Sequence, residues 1–199
     1  MDSLAGFFAY DQLAHKPLQS MGIRVTDVPW RTPRIDWGRF ELVVIRSPWD
    51  YQHSPQQFLA TLEQIDQSSA TLMNPLKLVR WNLTKTYLQD LQKQGVTIVP
   101  RRFLSGFVPD ELSALQGALQ SDQLVLKPVV GANADDTYRV SSATPTSELA
   151  RLRSIFAERP IIAQPFVDSI VTDGEYSLIY LGNQFSHAIR KLPASGGQG

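Results

Sequence analysis

The stretch LVLKPVVGANADDTYRV, residues 124–140, decides how this chain is read. Leu124, Val125 and Leu126 form a short apolar run that predicts a strand, and the run ends in Lys127 before a loop of small and polar residues. A strand that delivers an ammonium group to the mouth of a polar loop suits an anion, phosphate above all. Two plainer readings compete: Lys127 as a solvated surface lysine, and GANADD as a turn between strands. What lies on either side weighs on the choice, namely Lys85 upstream and residues 164–177 downstream.

Upstream, residues 40–45 (FELVVI) are a nearly continuous apolar run, as expected of a strand covered on both faces. The run ends in the loop RSPWDY, residues 46–51. Ser54, Pro55 and Gln57 then read as N-cap, first helical position and capping box, with Phe58, Leu62 and Ile65 as the buried stripe. Residues 74–78 are the expected junction after this front part. A second helix is expected from Asn82, with Lys85 in its first turn and Gly95 as its stop, followed by a strand at 96–99. Asp110 is expected to cap a third helix through Leu112, Leu115 and Leu119. A strand at 123–127 and a helix at 147–158 complete an alternation of strand and helix.

Downstream the pattern changes. Residues 161–167 read as a strand, and 175–181 with 184–191 as a hairpin across Gly182 and Asn183. Simple alternation puts Phe185, His187, Ile189 and Lys191 on one face, opposite Ser186, Ala188 and Arg190. The expected class is therefore α/β, turning to α+β in the C-terminal part.

Composition narrows the functions. The chain has 199 residues, 43% hydrophobic, enough for a real core. Nineteen basic and 19 acidic residues give no net field to draw nucleic acid or an anionic membrane, so neither is an expected partner. There is no cysteine, which removes thiol nucleophiles and thiolate metal sites and fits a reducing compartment. No apolar run approaches the ~20 residues of a membrane span. The N-terminus lacks the basic start and apolar core of a secretion signal, so a cytoplasmic location is expected. Neither a Walker loop nor a GxGxxG fingerprint is present, so phosphate binding needs another architecture. Ser47, Asp50 and His53 invite a triad reading, but three such residues in one short loop have no defined orientation. The four tryptophans, Trp30, Trp37, Trp49 and Trp81, are expected to anchor packing.

Three segments in order, WNLTKTYL, VLKPVVGANADDTYRV and IIAQPFVDSIVTDGEYSLIYLGNQFSHAIRKLP, resemble the ATP-grasp superfamily, over roughly residues 10–193. Within it the chain is similar to glutathione-synthetase-like bacterial proteins with an RSxWDY front-domain signature, met here at residues 46–51. The resemblance implies a front domain at 1–75, an N-terminal ATP-grasp subdomain at 76–160 and part of a C-terminal one at 161–199. It implies ATP as ligand, with Lys85 on its phosphates, Lys127 between phosphate and the adenine edge, and the 131–136 loop, including Gly131 and Ala132, as the flap over the phosphates. Gln164, Phe166 and Val167 stand at the adenine hinge, with the backbone of the last two facing the base. Asp168 stands near the ribose, and Glu175 lines the cleft. Lys191 stands where relatives place a cation for the transferred phosphate, with Arg190 and His187 as neighbours. A structural role competes for several of these positions: Gln164 as a partner of buried backbone, Glu175 as an exposed strand residue, His187 as a packing histidine.

The implied reaction passes the γ-phosphate to a carboxylate, and an amine or other nucleophile then attacks the acyl phosphate. Magnesium is implied with the nucleotide, but its ligands and part of the substrate contacts are expected in a segment that follows the Lys-x-Pro element in relatives and lies beyond Gly199. No residue of this chain is assigned to metal. Two functions are therefore expected: an ATP-dependent carboxylate–amine ligase or a fragment of one, with an unnamed small carboxylate or amine as substrate, or a noncatalytic nucleotide-binding or protein-interaction module.

Overall fold

The computed structural model describes residues 10–192. The chain divides into two compact units, Met1–Val96 with Val129–Asp135, and Thr97–Pro128 with Asp136–Gly199.

The first unit holds helix α1 (His15–Ser20), strand β1 (Leu42–Val44), helix α2 (Pro55–Asp66), strand β2 (Thr71–Met73), helix α3 (Leu76–Asn82) and helix α4 (Tyr87–Lys93). β1 and β2 pair in parallel, Val43 opposite Leu72, with α2 as the crossover between them. Phe58, Leu62 and Ile65 recur at helical spacing on α2 and are 3%, 2% and 3% exposed. They pack with Trp30, Trp37, Leu72 and Leu76, and Trp30 meets Phe58 edge-on at 5.3 Å.

Several local expectations are corrected here. Ser54 makes no side-chain capping bond; Pro55 at the first helical position starts α2, and the Ser54 carbonyl accepts from the Phe58 N–H at 3.0 Å. β1 is not covered on both faces, because Leu42 and Val44 are exposed and Val43 alone of the three turns toward the core. The helix expected from Asn82 starts only at Tyr87, as α4; Asn82 is instead the last residue of α3, and Lys85 lies in the turn between the two. The Lys85 N–H is spent on the Val129 carbonyl at 2.9 Å instead of on a helical turn, which accounts for the break. Gly95, at φ +86°, follows α4 as expected, yet no strand forms at 96–99, where Val96 and Val99 are exposed. Trp30 and Trp37 are core anchors, whereas Trp81 is 39% exposed and stacks on Tyr87.

The RSPWDY loop is tied down by carboxylates. Asp50 accepts from Trp30 Nε1 at 2.8 Å and pairs with Arg31; Asp11 accepts from Arg46 Nε at 2.7 Å and from the Ser47 hydroxyl. Burial pushes both carboxyls up, but these donors outweigh it and hold Asp11 and Asp50 below the usual carboxylate range. This network, not a catalytic triad, occupies Ser47 and Asp50.

The second unit holds β3 (Arg102–Leu104), α5 (Leu112–Leu119), β4 (Gln123–Pro128), β5 (Tyr138–Ser141), α6 (Thr146–Ile155), β6 (Ile161–Pro165), α7 (Ser169–Thr172), β7 (Glu175–Leu181) and β8 (Gln184–Lys191). Four strands form one sheet in the order β3-β6-β4-β5, and every pair in it is antiparallel. The expected unbroken alternation of strand and helix thus fails where β4 meets β5 directly. Leu124 and Leu126 on β4, Val140 on β5, and Ile161 and Ala163 on β6 face one side, where Leu112, Leu115 and Leu119 of α5 and Leu152 of α6 complete the core. Asp110 sits in a short 3-10 turn and makes no capping bond, and α6 ends at Ile155 rather than at 158.

β7 and β8 form the expected hairpin, with Gly182 at φ +56° and Asn183 at +64°, as a tight two-residue turn requires. A bulge corrects the expected faces. Tyr180 pairs with Phe185 and Ile179 with His187, so Ser186 is the extra residue and Phe185 leaves the face of His187, Ile189 and Lys191. The Tyr180 and Phe185 rings meet at 5.7 Å on the other face.

Two outcomes follow from this packing. Leu126→Ala, at a position with no exposed surface, is expected to cost about 2–5 kcal/mol in urea unfolding of the second unit. Because the Asp50 carboxyl is depressed in the folded chain, its stabilisation is present at neutral pH and is lost as pH falls through the folded value, below about 4. The stability gap between the parent chain and Asp50→Asn should therefore shrink on acidification, measured by denaturant titration across pH 2–7; a constant gap contradicts this account.

Candidate functional site

The core claims one face of the β3-β6-β4-β5 sheet; Lys127 and Gln164 lie on the other, with Ile162, which has no exposed surface. Cross-strand partners share a face, and the register pairs Lys127 with Ile162 and Val125 with both Gln164 and Arg139. Period two therefore places Lys127 and Gln164 together, opposite Leu124 and Leu126. Gln164 is buried, and Lys127 is half-buried with its amine pushed below the ordinary lysine value by burial; the Glu175 carboxylate opposes that shift. An ammonium held this way favours an arriving anion, because the anion replaces the lost hydration of the charge.

The segment after β6 is partly spoken for. The Phe166 N–H donates to the Gln123 carbonyl at 2.9 Å, extending the β6–β4 ladder by one bond, so it is already engaged. The Phe166 ring lies under the Arg139 guanidinium at 3.6 Å. Val167 and Asp168 are exposed, and Asp168 precedes α7 without capping it. Arg139 is a neighbour that sequence reading missed. Its only trace was its place in TYRV after the loop, and the pairing of β5 with β4 is what brings it to this face.

Glu175 and Lys191 are cross-strand partners at the open end of the β7–β8 hairpin, and both are exposed. Arg190 lies on the opposite face of β8 from Lys191, near the Tyr176 ring, with Nε donating to the Asp173 carbonyl at 2.5 Å. The hairpin therefore presents Lys191 with His187, and not with Arg190.

Lys85 belongs to the first unit, as does the Val129–Asp135 loop. Lys85 Nζ donates to the Gly131 carbonyl at 2.9 Å, so this lysine and the loop are joined. Asn133 and Ala134 take φ of +55° and +59°, and Asn133 Nδ2 reaches the Trp49 carbonyl at 3.0 Å. Gln52 Nε2 donates to Asp135 at 2.8 Å. Asp136, the next residue, belongs to the second unit, where Arg159 and Tyr138 bind it. Among the described residues no group of three His, Cys, Asp or Glu stands together to hold a metal ion, and no helix is long and apolar enough to cross a membrane.

Comparison with known proteins adds the lineage. Residues 1–74 match the family model of the D-cycloserine synthetase DcsG N-terminal domain. The chain is 35% identical over 180 residues to the cycloserine biosynthesis protein DcsG of Streptomyces lavendulae, covering 87% of this chain and 59% of that protein. A crystal structure of D-cycloserine synthetase DcsG superposes with a TM-score of 0.77 at 34% identity, over 92% of this chain and 63% of that one. The ATP-grasp ligase PsnB, with its minimal precursor, is similar in fold at a TM-score of 0.51 and 15% identity, over 78% of this chain and 60% of PsnB. This chain thus spans about three fifths of the length of these relatives. It has the ATP-grasp fold and is similar in sequence and structure to the D-cycloserine synthetase DcsG.

Proposed function

We propose that this chain binds ATP and serves as, or as part of, an ATP-dependent ligase that joins a small carboxylate to an amine. The observation that carries this reading is Lys127: a half-buried ammonium that shares with buried Gln164 the sheet face opposite the α5 and α6 core. Lys127 and Lys85 would neutralise phosphate oxygens, and the 131–136 loop with Gly131 and Ala132 would lie along them. Gln164 and the backbone after it, through the Phe166 carbonyl and Val167, would border the base. Asp168 would stand near the ribose and Glu175 along the cleft. Lys191 would approach the transferred phosphate. The bulged register sets Arg190 on the opposite face of β8, which weakens its part.

Magnesium accompanies ATP in such chemistry, bridging phosphate oxygens and offsetting their charge. The described residues offer no ready carboxylate cage, so no residue is given to it. The likeness to a D-cycloserine synthetase favours a small-molecule substrate, and the match over residues 1–74 supports a front domain ending near residue 75, ahead of subdomains at 76–160 and 161–199. A cytoplasmic setting accords with ATP as the ligand. A noncatalytic nucleotide-binding or protein-interaction module is the second reading.

Calorimetric titration with a nonhydrolysable ATP analogue, followed by ADP-release assays over a panel of amino acids and small acids, separates the readings. Binding with turnover is expected for the ligase, binding alone for the second, and a folded sample that binds nothing defeats both. Lys127→Ala should weaken the analogue at least about tenfold, roughly 1.4 kcal/mol, while leaving the unfolding transition in place. In the free chain the Lys127 amine should lose its proton at lower pH than the exposed lysines, and nucleotide should raise that midpoint, because phosphate charge favours the ammonium. NMR titration of 13C-methylated lysines reads this directly, and a Lys127 midpoint indistinguishable from the others would contradict the site.

A further inference from the structure

Gln52 is among the few buried polar residues of the chain, 7% exposed, and the proposed ligase chemistry gives it no task. It sits in the short 3-10 turn Tyr51–His53 that follows Trp49 and Asp50 in the signature loop. Its amide orientation is dictated by its neighbour, since a carboxylate only accepts: Nε2 must face Asp135 Oδ2, and does so at 2.8 Å. That leaves Oε1 sealed from solvent with no donor among the described residues. A buried acceptor without a partner is costly, and a hydrophobic side chain of similar size would avoid that cost. The amide is therefore explained by what its other end holds.

What it holds is the loop between β4 and β5. Val129–Asp135 departs from the unit that contains both strands and is fastened inside the first unit. Its fastenings run along its length: Lys85 N–H to the Val129 carbonyl, Lys85 Nζ to the Gly131 carbonyl, Asn133 to the Trp49 carbonyl, and Gln52 to Asp135. Within the loop the Asp135 N–H donates to the Ala132 carbonyl at 2.9 Å, closing a turn in which Ala134 at φ +59° is in a region that L-residues with a side chain rarely adopt. The external bonds help to hold that conformation. His53 adds a weaker approach, 4.0 Å from Asp135, at the same end.

We propose that Gln52, acting through Asp135, is the positioning residue that clasps the 129–135 loop, so that the front-domain signature sets the conformation in which that loop meets nucleotide phosphates. The nucleotide part of this statement rests on the ATP-binding reading above; the clasp itself does not. Gln52→Glu sets two carboxylates against each other and removes the donor. Adding Asp135→Asn to Gln52→Glu returns a donor from the opposite side, so the pair is restored with its polarity reversed.

Hydrogen exchange on the full chain, without nucleotide, tests the clasp. In Gln52→Glu, amides of the 131–135 loop should exchange at least about tenfold faster, while those of β4 and β6 keep their protection and report that the fold is intact. The double variant should return loop exchange toward the parent rate. Calorimetry with the ATP analogue should show weakened binding in Gln52→Glu and recovery in the double variant. Unchanged loop exchange, or fast exchange that the swap does not restore, overturns the clasp. Fast exchange with unchanged analogue affinity overturns its role toward phosphate. A parent chain that binds no analogue defeats the ATP reading, and loop exchange then still decides the clasp.

Discussion

The ATP-binding reading of this chain depends on the two-sidedness of β4. Its side chains alternate by the pleat, so Leu124 and Leu126 can be driven to zero exposure only if Val125 and Lys127 are turned to the other face. The hydrophobic effect on one side thereby fixes the position of a charge on the other. A slip of one residue would bury the ammonium in the α5 and α6 core, at a cost no local contact offsets. Placement of Lys127 is thus bound to the stability of the second unit and cannot drift without loss of the core.

The same strand ends in a loop that behaves differently. Val129 is buried, but from Gly131 to Asp135 the loop is fastened by hydrogen bonds to Lys85, Trp49 and Gln52. Polar fastening suits a segment that changes partners. Lys85 is half-buried and donates to the Gly131 carbonyl from its ammonium. Adjacent residues Asp135 and Asp136 are bound by different units, Gln52 in one and Arg159 in the other, so the end of the loop is sharply defined.

How much of this was legible depended on the range of the interaction. The α2 stripe, the α5 leucines and the β7–β8 hairpin were readable because helical spacing, pleat period and a Gly-Asn turn act within a few residues. The strand expected at 96–99 and the helix start expected at Asn82 were misread because both depend on distant partners: β3 forms where Leu104 finds Ile161, and the chain turns before α4 where Lys85 finds Val129. The bulge at Ser186 escaped for the same reason, since only the partner strand reveals an extra residue. Lys127 and Gln164 were singled out by sequence, whereas Arg139 and Gln52 were not; their roles come from cross-strand register and from a bond spanning 83 positions.

The sequence by itself carried the resemblance to ATP-grasp proteins, through three segments in order, and determined the buried stripes of α2 and α5, which follow from residue type and local period. Only the tertiary structure decided that the signature loop is held by Asp11 and Asp50, that the β4–β5 loop is fastened to Gln52 and Lys85, and that Arg190 and Lys191 face opposite ways. Those outcomes turn on which partners distant segments find for hydrogen-bonding groups that burial forbids to remain empty.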